Sequence, residues 1–161
     1  MWKVIEQNAY DSISLHDCKA NRIERDGNDL LFYFPDGFWI TPFSHHIDRD
    51  RPLKTGPAMV RFRGLSDLEP LDYMDLYKTV RILGKEILCR RVRLDAADFM
   101  NIINDGKHEL EFITEYHNGV SALYQCWLWS NNRGVEGDCQ FEMVLESVEY
   151  CWNDIQSDHE W

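Results

Sequence analysis

The sequence predicts a mainly β fold with a minor α component: an antiparallel β-sandwich or strongly curled sheet of about eight or nine strands with one short helix, Ala96–Asn104. Three observations predict it. Turn signals such as Asp26-Gly27-Asn28-Asp29, Pro35-Asp36-Gly37 and Asn118-Gly119 recur between short apolar stretches. Several of those stretches alternate apolar and polar residues, as strands with one wet face do. Helical spacing bounded by caps occurs over a single segment. The 161 residues, 44% hydrophobic and 13% aromatic, suit one β-rich domain over 1–161 with a packed core.

Trp2, Val4 and Ile5 fit a short strand or a helical turn. Lys19 to Arg25 reads as a strand. Leu30 to Phe34 has no polar break, so both of its faces are expected to be covered. The next turn, Pro35-Asp36-Gly37, uses proline to preset φ and glycine for the left-handed position. With Phe38 to Ile40 these segments form a short meander that seeds the core. From Thr41 to Pro57 the apolar pattern stops, and a charged stretch punctuated by Pro42, Pro52, Gly56 and Pro57 reads as a long loop, either functional or mobile. Ala58, Val60 and Phe62 alternate with Met59, Arg61 and Arg63, a further strand. Over Ser66 to Lys78 helix and strand compete, Pro70 and the aromatics favouring a strand from about Leu71. Gly84-Lys85 marks a turn before a strand with Leu88, Arg90, Val92 and Leu94 on one face.

The helix has a start, a stripe and a stop. Asp95 is a suitable N-cap and Asp98 sits where a capping-box acid would. Phe99, Ile102 and Ile103 share a face, and Gly106 ends the helix. Two hairpins follow. Asn118-Gly119 implies a two-residue turn pairing Ile113 with Tyr124 and Phe112 with Gln125. A loop centred on Asn132-Arg133 would place Cys126 opposite Cys139. In Cys139 to Trp152 the apolar residues change parity, from Phe141, Met143 and Leu145 to Val148, Tyr150 and Trp152. That implies a bulge or bend near Glu146-Ser147. The polar tail from about residue 153 should be frayed.

Charge is uneven. Residues 95–161 hold only Lys107 and Arg133 against 14 acidic side chains, −12, while 1–94 hold 15 basic and 14 acidic, +1, which together give the net −11. Nucleic acid is an unsuitable partner for such a surface, because phosphate binding needs clustered Lys and Arg. A basic protein suits it. No apolar run reaches the ~20 residues that span a bilayer, and the start has no leader-like apolar core, so a cytoplasmic protein without membrane contact is expected. The five widely spaced cysteines, without a Cys-x-x-Cys, read as reduced thiols rather than a disulfide or zinc framework.

Two polar clusters invite chemistry. In His16-Asp17-Cys18 strand alternation would put His16 and Cys18 on one side, but no helix N-terminus or glycine-rich turn activates the thiol. In His45-His46-x-Asp48 adjacent histidines bind one ion only if the loop folds back, and no His-Glu-x-x-His occurs. No metal, catalytic residue or cofactor is therefore assigned. His16, Asp17, His45 and His46 remain candidates for lining a pocket. There is no phosphate loop, dinucleotide fingerprint or Gly-x-Ser-x-Gly.

The Leu-His-Asp-Cys start, the Phe-Pro-Asp-Gly-Phe-Trp-Ile segment, and the Cys-Trp-Leu-Trp hairpin closing in Val-Glu-Tyr-Cys-Trp together resemble a group of small, uncharacterised β-rich bacterial proteins. Some of these are similar to immunity proteins of polymorphic toxin systems. The resemblance spans residues 15 to 152 and implies a non-enzymatic module that binds a basic, toxin-like protein. It carries no site residues. The residues themselves suggest an acidic face: Glu111 and Glu115 on one side of their strand, Glu142 and Glu146 on one side of theirs, the four forming a stripe if the strands are close. The alternative is a small-molecule binder or enzyme with a pocket near His16 and the Thr41–Pro57 loop.

Overall fold

The structure, a computed structural model, describes residues 1–48, 50–65, 74–131 and 136–156. In chain order the strands are β1 (Val4–Gln7), β2 (Ile13–Ser14), β3 (Cys18–Ala20), β4 (Arg22–Asp26), β5 (Asp29–Phe34), β6 (Trp39–Ile40), β7 (Leu53–Thr55), β8 (Ala58–Arg63), β9 (Met74–Ile82) and β10 (Lys85–Leu94). The helix α1 (Ala96–Ile103) follows, then β11 (His108–His117), β12 (Ser121–Ser130), β13 (Gly137–Val144), β14 (Ser147–Trp152) and β15 (Ile155–Gln156). They form three antiparallel sheets, ordered β1-β14-β8-β5-β4, β10-β9-β13-β12-β11-β3 and β15-β7-β6-β2, and among the described residues no sheet closes into a barrel. The fold is the mainly β, sandwich-like α+β arrangement expected.

Aromatic rings join the two larger sheets. Phe32 on β5 lies edge-on to Phe112 on β11 and stacks on Phe141 on β13, each at 5.9 Å, and Phe62 on β8 meets Tyr124 on β12 at 5.4 Å. All six are buried. Each such ring removes ~150–250 Å² from water, and the edge-to-face geometry adds to that burial. The space between the sheets is filled by this ring cluster.

Local elements follow the sequence where the signal is chemical. Asp95 caps α1, its Oδ1 accepting from the Asp98 N–H at 2.7 Å, and Phe99 and Ile103 are buried. The residue after α1, Asn104, accepts from Ile23 N–H and donates to Ile23 O, both at 2.8 Å. Its amide thereby satisfies the edge of β4 as a neighbouring strand would. Gly37 has φ +73°, and a Cβ there would sit 2.3 Å from Thr55 O. Only glycine tolerates both. The bend near Glu146 is the point where the chain leaves the six-stranded sheet at Val144 and enters the five-stranded sheet at Ser147. Cys126 lies opposite Cys139, and both are free thiols.

Several expectations are corrected. There are fifteen strands among the described residues, because five segments of two or three residues pair as well. Lys19 to Arg25 is two strands in two sheets, broken at Asn21. β5 buries one face only: Leu30, Phe32 and Phe34 point inward while Leu31 and Tyr33 stay half-exposed, Tyr33 under the Arg22 guanidinium. The Thr41–Pro57 stretch contains β7, whose Leu53 and Thr55 are buried. The tail is held past residue 153, since Ile155 pairs with Thr55 and Gln156 with Lys54. The Asn132-Arg133 turn and residues 66–73 of the segment from Ser66 to Lys78 lie outside the described residues, and from Met74 that segment is the strand β9.

Candidate functional site

Three polar groupings stand out, and the hairpin register decides two of them. β11 and β12 pair His117 with Ala122 and Glu115 with Tyr124, then shift at Ile113 so that Phe112 pairs with Cys126. The turn is longer than two residues, with Asn118 N–H donating to Ser121 O and Asn118 Oδ1 accepting from Ser121 N–H. The extra residue, Ile113, is a β-bulge, and a bulge reverses which side each later residue faces.

Glu111 and Glu115 therefore do not share a face. Glu111 pairs across from Trp127 on the outer surface and accepts from the Trp129 indole N–H. Glu115 turns inward with Tyr124, and its Oε1 accepts from the Leu15 N–H at 3.1 Å. Glu142 is exposed on the outer face beside Leu123. Glu146 lies past the end of β13, where its N–H donates to Arg63 O. The expected four-carboxylate stripe does not form.

The outer face carries a different pattern. Across β9, β13, β12, β11 and β3 one rung reads Tyr77, Asp138, Trp127, Glu111, Lys19, and another reads Glu142, Leu123, Tyr116 across β13, β12 and β11. Trp129 pairs with Glu109. Tyr116, Ile113 and Trp129 are exposed. Carboxylates thus alternate with aromatic rings. Lys19 shows what such a surface does: its Nζ is 5.1 Å from the Trp129 ring centre and 3.6 Å from Glu109 Oε2.

On the inner side, Glu115 Oε2 lies 3.5 Å from His117 Nε2, and the His117 ring stacks on Tyr10 at 3.9 Å. Tyr124 and Tyr150 complete the group, and among the described residues neither buried hydroxyl has a protein partner. Burial pushes the Tyr150 phenol well above its ordinary range, with Glu115 and Tyr10 adding to the effect. Both phenols are neutral at any physiological pH.

The cluster His16-Asp17-Cys18 comes apart. Asp17 adopts φ 57°, so the chain does not alternate as a strand would: His16 is exposed and Cys18 is buried. His16 Nδ1 meets Ile113 O at 2.6 Å, and the Cys18 thiol donates to His16 O at 3.4 Å. Burial pushes the Cys18 thiol up to about 12, so it has no thiolate character. A hollow of about 230 Å³ runs between His16 and Thr114, below the ~300 Å³ at which small-molecule sites begin.

The histidine pair comes together instead. Thr41 N–H donates to Ser12 O, Thr41 Oγ1 donates to Asp11 O, and Ser44 N–H donates to Thr41 O. These bonds tie the segment to the connection between β1 and β2, which brings its histidines alongside β1. His46 Nε2 then lies 2.7 Å and His45 Nε2 3.3 Å from the same atom, Glu6 Oε1. Glu6 and His46 are 16% and 23% exposed and His45 is 77% exposed, so the group opens to solvent on one side. The His46 ring stands edge-on to Trp152 at 5.1 Å. Sequence reasoning missed Glu6. Its one signal was that it shares the half-buried side of β1 with Val4. Tyr10, His117, Tyr124 and Tyr150 gave no signal, because only the register and sheet packing bring them together. Among protein-family models, curated proteins and solved structures, none matches this chain.

Proposed function

We propose that the chain is a non-enzymatic module that binds and neutralises a basic protein, in the manner of an immunity protein, with the outer face of β11–β13 as its docking surface. The observation that carries this reading is the alternation of carboxylates with aromatic rings there. Lys19 already rests on Trp129 and pairs with Glu109, the mode in which a partner's lysines and arginines would engage Glu111 with Trp127 or Glu142 with Tyr116. The ring-filled core supports a surface function over a deep pocket. The acidic balance adds steering of a basic partner.

The test uses the purified product of the adjacent gene. Binding should slow steeply with salt, and Glu111→Lys with Glu142→Lys should lower the on-rate about tenfold or more. Glu115 is left intact because it holds the Leu15 backbone. No binding, or a double reversal that leaves both on-rate and salt dependence unchanged, overturns the reading.

A further inference from the structure

We propose that Glu6, His45 and His46 form a binding site for a divalent transition-metal ion, zinc being the best match. One carboxylate oxygen and two imidazole nitrogens lie within 4.8 Å of one another. Zinc takes such ligands at ~2.0–2.2 Å, so neighbouring donors in a tetrahedral set are about 3.3 Å apart. Glu6 Oε1 and His45 Nε2 already stand at 3.3 Å. Glu6 Oε1 and His46 Nε2, at 2.7 Å, need only a small opening, and the His45 ring, which rests on the His46 ring at 4.1 Å, is 77% exposed and can turn toward solvent.

The chemistry of the donor set selects the ion. Imidazole with carboxylate suits zinc and its first-row neighbours rather than calcium or magnesium, which prefer oxygen alone. The anchoring is uneven in a way a metal site requires. Glu6 is fixed on β1, its strand paired with β14, and His46 is held by Trp152 and by its N–H donating to Ser44 Oγ at 3.2 Å. Buried Ser44 and the Thr41 bonds keep the reverse turn in place. Three protein ligands leave a fourth position on the His45 side for water or for a donor brought by a partner. The site stands on β1 and the 41–46 turn, elements that the proposed docking face does not use.

The experiment uses tag-free, metal-stripped full-length protein carrying Cys89→Ser, since Cys89 is the one exposed thiol and a competing ligand. Calorimetric titration with zinc should show one equivalent bound, and cobalt should give the absorption of a low-coordinate site. Glu6→Gln and His45→Ala should each weaken zinc binding at least about a hundredfold, more than loss of an outer-shell partner costs. Circular dichroism checks that each variant is folded. If either is not, the imidazole proton resonances of His45 and His46 in the parent decide: they must shift on zinc addition. Less than one equivalent bound, variants that bind like the parent, or unshifted resonances overturn the proposal.

Discussion

His16-Asp17-Cys18 and Glu6-His45-His46 are opposites. The first is contiguous in sequence and diverges in space, because one left-handed residue, Asp17, sends the ring outward and the thiol inward. The second is scattered over forty residues and converges on a single carboxylate oxygen, because backbone bonds from Thr41 and Ser44 tie the segment to the connection between β1 and β2 and so bring its histidines alongside β1. Adjacency along a chain sets which residues are neighbours, not which way they point. Convergence requires a support, and the second cluster has one in β1, β14 and Trp152.

Removing that support should have the largest effect. Trp152 is fully buried against Phe38 at 5.7 Å and walls one side of His46. Trp152→Ala should cost about 3–5 kcal/mol, read from the urea midpoint. A cost below about 1 kcal/mol would mean that the cluster does not depend on this wall.

The thiols sharpen the contrast next. Burial raises Cys18 from 9.0 to about 12, and burial then Glu149 raise Cys151 to about 11. A raised folded pKa means that the folded state holds the proton more tightly. The stability this contributes is whole below the unfolded value near 9 and is lost as pH rises through about 11 to 12. Unfolding free energy should therefore fall across that alkaline window. At pH near 8, iodoacetamide should label Cys89 at least about a hundredfold faster than Cys18. Equal rates would return His16-Cys18 to the list of reactive pairs.

The smallest expected effect is at Asp17. Its φ of 57° suits glycine, and its contact with His16 Nε2 at 3.5 Å is a half-exposed pair of little worth. Asp17→Gly should change stability by no more than about 0.5 kcal/mol, while Asp17→Val should cost about 1–2 kcal/mol through left-handed strain. A larger loss on Asp17→Gly would give the carboxylate a role beyond the turn.

What was legible follows one line. The helix was readable because its cap, stripe and stop are local, and the structure realises Asp95, Phe99 and Ile103 in those roles. The bend between Leu145 and Ser147 was readable because inward residues change parity there. The Ile113 bulge was not: Glu111, Ile113 and Glu115 alternate without a break, so nothing in β11 by itself records that Glu115 turns inward to meet the Leu15 N–H. Lys19 was read as a strand residue, and its place over Trp129 depends on β3 pairing with β11.

By itself, then, the sequence determined the fold class, the helix, the presence of the β11–β12 hairpin though not its register, and the acidic balance, since turn chemistry, capping and periodicity act over a few residues. The tertiary structure decided which carboxylates face outward, which thiol is silenced and which histidines meet. Those outcomes depend on register shifts and sheet contacts between residues tens of positions apart, where a single extra residue reverses a face and a few backbone bonds gather a site.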